Sequence, residues 1–219
     1  MNQYSVRSGV FLPRTSQRLL NVMSASDRDR WNEKYAQRQP LANVEPDEWL
    51  VDACAMINRL SSDQAAAGRA VDLACGLGHN SVWLAQQGWA VDGIDISAAG
   101  LTLARQVAGQ TGAEVNWIEA DLDDWQPAAN SYDLAVIFRF LDRESVPRAV
   151  NAGLRPGGLL IYETFAAGQL ERVDSHIRNP AFTLAPGELP RLFQEFDVIE
   201  YREAVLEDRT VQRMLARRQ

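Results

Sequence analysis

The chain has 219 residues, 46% hydrophobic and 23% charged, with a formal net charge of −7. This is an ordinary globular balance, and the length suits one α/β domain with a short N-terminal extension. The negative charge argues against a nucleic-acid partner, whose binding draws on phosphate neutralisation by Lys and Arg; Cys54 and Cys75 are too few for a disulfide framework and too isolated for a metal site.

Taken in chain order, the first stretch is polar and mixed. Arg7, Pro13 and Arg14 interrupt its apolar residues, so it does not read as a secretory signal. No run reaches the roughly 20 apolar residues that span a bilayer. A cytoplasmic protein with no membrane partner, monomeric or homodimeric, is the expectation. Residues 1–26 are expected to be a flexible extension, and 27–219 a single domain. Ser26 is a candidate cap for a helix through DRDRWNEKYAQ, on which Trp31 and Tyr35 lie four apart and share a face. A second helix is expected through PDEWLVDACAMINRL, with Pro46 at its start and Trp49, Leu50, Met56, Ile57 and Leu60 as its apolar stripe. Together these form an N-terminal helical part, 27–62.

From Arg69 the pattern alternates. Strands are expected at RAVDLA, WAVDGID, EVNWIEA, YDLAVIF and LLIYETF, with helices between them at NSVWLAQQG, AAGLTLARQVAG (capped by Ser97) and RESVPRAVNAGL. Pro156, Gly157 and Gly158 turn the chain into the fifth strand. After this core, 69–165, the segment 166–219 supplies a polar lid loop, a helix ELPRLFQEF and two strands, DVIEYREAVL and RTVQRMLARR, with no helix between them. Alternation of strands and helices implies right-handed crossovers and a parallel sheet covered on both faces. The fold class is therefore α/β, a three-layer, doubly wound, seven-stranded and mostly parallel sheet ending in an antiparallel edge hairpin.

Three acidic positions punctuate the strand ends. Asp72-Leu73-Ala74-Cys75-Gly76-Leu77-Gly78 leaves the first strand, and its small residues let the backbone turn and approach a ligand. In open parallel sheets the ligand lies beyond the carboxyl ends of the strands, where strand order reverses. Asp95 ends the second strand, 17 residues after Gly78, and a carboxylate there can take both hydroxyls of a ribose. Asp121 ends the third, where it can accept from an adenine amino group beside Leu122. Each Asp taken singly can equally cap a helix or turn.

AVDLACGLGHNSVWLA, GIDIS, EADLDDW and LRPGGLLIYETF resemble, in this order, the motifs of class I S-adenosylmethionine-dependent methyltransferases. The resemblance covers roughly Arg69–Phe165. RWNEKYAQ is similar to the opening helix of the tellurite-resistance and thiopurine types of small-molecule methyltransferase, whose aromatic residue closes over the cofactor; RNPAFTLAPGELPRLFQEFDVIEYRE resembles the end of tellurite-resistance-like proteins. The resemblance implies a Rossmann-like fold that binds S-adenosyl-L-methionine and releases S-adenosylhomocysteine. It places Asp72, Ala74, Cys75, Gly76, Gly78 and Asn80 at the methionine end, Asp95 and Ile96 at the ribose, and Asp121 and Leu122 at the adenine. Phe138 and Arg139 would line the methyl-transfer end, under Trp31 or Tyr35. Ala74 stands where the family more often has Gly, which is harmless if its φ is negative.

The acceptor is expected to be a small molecule, with anionic, thiol and metalloid compounds as candidates, and no metal is implied. Methyl transfer is a direct displacement in which the protein supplies orientation, and a soft anionic acceptor needs no base. Candidates around the acceptor are Arg139, Arg143, Glu163 and His176, each with a plainer reading: surface salt bridges for the arginines, pairing with an Arg for Glu163, an ordinary loop residue for His176. Trp31 and Tyr35 can lie over a sulfonium or simply pack their helix. His79 is expected to matter through its backbone N–H, Cys75 not to be a nucleophile, and Arg213, Arg217 and Arg218 to mark the solvated face of an edge strand. Two rivals stand beside the enzyme reading. A nicotinamide-dependent oxidoreductase would want a third glycine where Ser81 stands. A non-catalytic cofactor-binding module is compatible with filled cofactor positions and an unmarked acceptor site.

Overall fold

The computed structural model describes residues 14–39, 45–60 and 68–219, and the side chains of all of these except 14–24 and Leu60. Strands β1 (Arg69–Leu73), β2 (Ala90–Asp95), β3 (Val115–Glu119), β4 (Tyr132–Phe138), β5 (Leu154–Phe165), β6 (Phe196–Val205) and β7 (Thr210–Arg218) form one sheet. Its order is β3-β2-β1-β4-β5-β7-β6. The first five are parallel, and β7 runs antiparallel to both β5 and β6. Helices α1 (Arg14–Ala36), α2 (Glu48–Leu60), α3 (His79–Gln86), α4 (Ala98–Thr111), α5 (Ser145–Gly153) and α6 (Glu188–Leu192) cover the faces. No described helix is long and apolar enough to cross a membrane.

Strands buried on both faces read as apolar runs, and β4, YDLAVIF, buries every residue but Asp133 almost completely. One core packs Leu154, Leu160, Tyr162, Leu189, Phe193 and Met214 on the α5–α6 side. The other packs Trp49, Leu50, Ala53, Leu84, Val136 and Leu215 on the α2–α3 side. Because β1 lies between β2 and β4, strand order reverses at its carboxyl end. The crevice of a doubly wound sheet opens there, between the turn after β1 and the turn after β4.

Three expectations are corrected. The helix carrying Trp31 and Tyr35 starts at Arg14, so 14–26 is helical and Ser26 lies inside it rather than capping it; residues 1–13 of the expected extension lie outside the described ones. Gln17, Arg18, Leu19, Leu20, Met23 and Ala25 favour helix by propensity without giving an apolar stripe. The last helix stops at Leu192, because Phe193 and Phe196 turn inward and pack edge to face at 5.5 Å. Lastly, β7 is not an edge strand. It lies between β5 and β6, and β6 is the edge.

Arg213 is accordingly buried opposite Glu163 on β5, not solvated. Glu163, with no exposed surface, accepts from Arg213 Nε at 2.6 Å and from Arg209 Nε at 3.0 Å. It is thus a structural ion-pair residue, not an acceptor-facing one. Breaking a buried pair leaves an uncompensated charge. Glu163→Ala should lower unfolding free energy in urea by ~3–5 kcal/mol, whereas truncating the exposed Arg217 should change it by less than ~0.5 kcal/mol.

Candidate active site

The turn after β1 is the tightest part of the crevice. Ala74, Gly76 and Gly78 have φ of 56°, 56° and 74°. Ala74 therefore occupies the left-handed region, against the expectation of a negative φ, at a cost of about 1–2 kcal/mol for a residue with a Cβ. The two glycines serve opposite sides. A Cβ on Gly76 would come within 2.7 Å of Tyr35 Oη, while one on Gly78 would collide with Trp117 beneath the loop. Gly76 N donates to Asp95 Oδ2 at 2.8 Å, and Ser97 N to Asp95 Oδ1 at 2.8 Å. One buried carboxylate thus joins the loop to the start of α4.

Helix α1 is fastened over this loop. Asn32 Oδ1 accepts from Ser97 Oγ at 2.8 Å and from Ala99 N at 3.1 Å. Ser97 Oγ in turn caps α4 by accepting from Gly100 N at 3.0 Å. Tyr35, stacked on Trp31 at 5.6 Å, rests between Gly76 and Gly100, where a Cβ would lie 3.0 Å from its ring. Burial, and next the Asp95 charge, push the Tyr35 hydroxyl well above its usual range.

Asp72 lies behind the loop, buried, accepting from Ser81 Oγ at 2.6 Å. Burial raises its carboxyl to about 7. The Cys75 thiol, also buried, is pushed up by burial and by Asp72, so it is no nucleophile. Asp121 accepts from Asp123 N at 3.0 Å through Oδ1, and its carbonyl from Trp125 N at 2.8 Å, so it shapes the turn after β3. Its neighbour Leu122 is buried and Ile96 half-buried.

A second group closes the far side of the crevice. Arg139, leaving β4 with φ 55°, grips Asp47 through both terminal nitrogens at 2.7 and 2.9 Å. Asp47, just ahead of α2, also bonds His79 Nε2 at 2.9 Å and Asn80 Nδ2 at 3.0 Å, and donates its backbone N–H to Asn80 Oδ1 at 2.9 Å. Burial works to raise the Asp47 carboxyl, but His79, Arg139 and Asn80 outweigh it and hold it far below the usual range. Arg209, on the β6–β7 turn, approaches Asp47 to 3.7 Å and connects it to Glu163. His79, Arg139, Arg209, Asp47, Leu206 and Asp208 help to line a cavity of about 450 Å³. A larger concavity, about 950 Å³, lies at the amino ends of β1–β3, between the C-terminal ends of α3 and α4. It gathers none of the predicted cofactor residues, so volume alone does not mark the site.

The structure thus brings together Trp31, Tyr35, Ala74, Cys75, Gly76, Gly78, Asp95 and Arg139 around the crevice, and packs Phe138 into the core with Trp49 and Leu50. It separates three candidates from it. Arg143 clamps the 181–188 segment, bonding Glu188 at 2.6 Å and the carbonyls of Ala181 and Thr183. Glu163 is spent on two arginines. His176 sets its ring edge to face against Phe165 at 6.1 Å. Asn80 is turned onto Asp47 by both amide atoms. Sequence reasoning missed Asn32, Asp47, Arg209 and the His79 ring. Asn32 carried a signal, since it shares a helix face with Tyr35 three residues on. Asp47 carried none beyond that of a helix cap.

Residues 70–158 match the model of a methyltransferase-domain family. Over 102 residues the chain is 33% identical to a ribosomal RNA small subunit methyltransferase C of Alcanivorax borkumensis, covering 42% of this chain and 31% of the relative. It is 28% identical over 142 residues to a ubiquinone biosynthesis O-methyltransferase of Bordetella avium, covering 62% and 56%. The chain therefore spans about a third to just over half the length of these curated relatives. Among solved structures, TehB of Haemophilus influenzae superposes with a TM-score of 0.62 at 20% identity, over 86% of this chain and 67% of that one. Magnesium protoporphyrin IX methyltransferase of Synechocystis PCC 6803, with bound SAH, gives 0.60 at 18%, over 93% and 99%. The family match over residues 70–158 and the likeness in fold to these solved structures agree with the class I, S-adenosylmethionine-dependent methyltransferase motifs that the sequence resembles.

Two predictions follow from the loop. Ala74→Gly should raise unfolding free energy by about 1 kcal/mol in urea titration by relieving the left-handed alanine; a loss would mean that the Cβ packs usefully. Asp72 holds its proton more tightly folded than unfolded. Its contribution is therefore fully favourable below the unfolded value near 4, declines as pH rises to about 7, and is level above. Relative to Asp72→Asn, which keeps an acceptor for Ser81, the wild-type Tm should fall across that window.

Proposed function

We propose that this chain transfers a methyl group from S-adenosylmethionine to a small molecule, acting in the cytoplasm as a monomer or homodimer. The observation that carries the reading is the convergence of Asp95, the 74–78 loop and Tyr35 on one crevice at the carboxyl ends of β1 and β2. These residues fit the cofactor. Gly76 leaves open the space a Cβ would fill beneath Tyr35, and Asp95 ends β2 with its carboxylate turned to the loop. Asp95 would hold the ribose, Asp121 and Leu122 the adenine, and the 74–78 loop the methionine end. The Trp31–Tyr35 stack would lie over the sulfonium, an attraction of ~0.5–2 kcal/mol. When bound, the cofactor supplies an electrophilic methyl carbon; the chain orients the acceptor in line with it and excludes water.

The acceptor side supports a small and uncharged or cationic molecule over an anionic one. A cavity of about 450 Å³ suits a small ligand. Glu45, Asp47, Glu48, Glu207 and Asp208 line it against Arg139 and Arg209, and Arg139 is already neutralised by Asp47. That lining disfavours a polynucleotide, although one relative is named for ribosomal RNA. The oxidoreductase alternative is disfavoured because the third glycine position is Ser81, whose hydroxyl is committed to Asp72.

Calorimetric titration checks the reading. S-adenosylmethionine and S-adenosylhomocysteine should bind in the micromolar range and NAD should not. Asp95→Ala should weaken binding about 100-fold, the loss expected for two hydrogen bonds to a charged group. Unchanged affinity in that variant would refute the ribose assignment. Binding without methylation of any acceptor would favour the non-catalytic module.

A further inference from the structure

His79 follows the glycine loop directly and opens α3, so it stands between the cofactor crevice and the 450 Å³ cavity that it lines. Its side chain is 18% exposed. One ring nitrogen, Nε2, is committed to Asp47 Oδ2 at 2.9 Å. Arg139 Nη2 also lies 2.9 Å from Nε2, but the guanidinium can only donate, and it already has Asp47 Oδ2 at 2.9 Å. A carboxylate accepts more strongly than a neutral imine nitrogen. The arrangement that satisfies all three groups has Nε2–H and Arg139 both donating to Asp47. The other nitrogen, Nδ1, has no partner among the described residues and is not sealed from solvent. In that arrangement it bears a lone pair on a side chain that lines the cavity. A carboxylate fixing one imidazole nitrogen so that the other can take a proton is the orientation a general base requires.

We propose that His79 is the general base for a hydroxyl acceptor held in this cavity, with Asp47 as its positioning residue. The proposal rests on the methyltransferase reading above and deepens it. As the acceptor oxygen forms its bond to the methyl carbon, the sulfur–methyl bond breaks and leaves a neutral thioether. The acceptor O–H bond breaks and its proton passes to His79 Nδ1, then to solvent. A hydroxyl is a poor nucleophile while protonated, so it gains from such a base, whereas a thiolate does not. The groups facing the pair are Arg139 after β4, Arg209, Asp208 and Glu207 on the β6–β7 turn, Glu45 ahead of α2 and Glu48 at its first residue. Asp47 is joined to Arg139, Asn80 and the His79 ring at once, which fixes the ring rather than leaving it to rotate.

The first test needs no acceptor. The chain has two histidines, so nitrogen-15 spectra of the imidazoles are assigned by His176→Gln, a residue outside the site. The proposal predicts His79 in the Nε2–H tautomer near neutral pH, with a bare Nδ1, and a mixture of tautomers in Asp47→Asn. An Nδ1–H tautomer in the wild type, or no change in Asp47→Asn, overturns it. The second test supplies labelled S-adenosylmethionine with unsubstituted catechol, which is uncharged at neutral pH, and with thiophenol as an already ionised control. His79→Gln should lower kcat on the catechol at least ~100-fold, with KM and cofactor affinity within about twofold, while thiophenol methylation is unaffected. The acidic limb of the pH–rate profile should disappear with it, and imidazole should partly restore His79→Ala. Equal kcat for wild type and His79→Gln on the catechol, or methylation of thiophenol with none of the catechol, overturns the base. Loss of cofactor binding altogether would instead strike the underlying reading and leave the tautomer measurement to judge the pair.

Discussion

The site depends on a backbone constraint: the chain must turn from β1 into α3 through three left-handed residues in five, Ala74, Gly76 and Gly78. That turn aims the Gly76 N–H at Asp95, across the neighbouring strand, and its small residues make room for an aromatic ring on each side. Trp117 supports the turn from below and Tyr35 covers it from above. The same carboxylate that receives Gly76 receives Ser97, so the starts of α3 and α4 are held in one geometry. Asn32 extends this to α1 by bonding the cap of α4. Loop, Asp95 carboxylate and covering helix are therefore one hydrogen-bonded unit.

A second, electrostatic unit closes the other side. Glu163, Arg213, Arg209, Asp47, Arg139 and His79 form a chain of paired groups from the interior of β5 to the start of α3. Its deep end, Glu163 with Arg213, is dry and structural. Its shallow end, Asp47 with His79 and Arg139, reaches the cavity. The gradient from buried to half-exposed lets one network both brace the sheet and present an oriented imidazole. A carboxylate held ionised keeps that orientation as pH falls through the ordinary carboxylate range.

The sheet was readable in the sequence because buried parallel strands are written as short apolar runs with turn residues between them. Asp72, Asp95 and Asp121 were readable because their places at strand ends follow from local pattern. What escaped was set by non-local geometry. Nothing near Asp47 indicates a partner 92 residues away, and nothing near Arg213 indicates that β7 will insert between β5 and β6. The start of α1 escaped for another reason: residues 14–25 favour helix by propensity without an amphipathic stripe. Ala74 looked benign because side-chain size is visible in a sequence and φ is not.

The central claim is that the cofactor binds at the carboxyl ends of β1 and β2, under α1, and not in the larger concavity at their amino ends. Amide hydrogen exchange with and without S-adenosylhomocysteine separates the two places. Protection of residues 74–80, 95–99 and 30–36, with no change at 85–92 and 105–117, is the predicted pattern. Protection confined to the latter segments, or none anywhere at saturating ligand, would contradict the account.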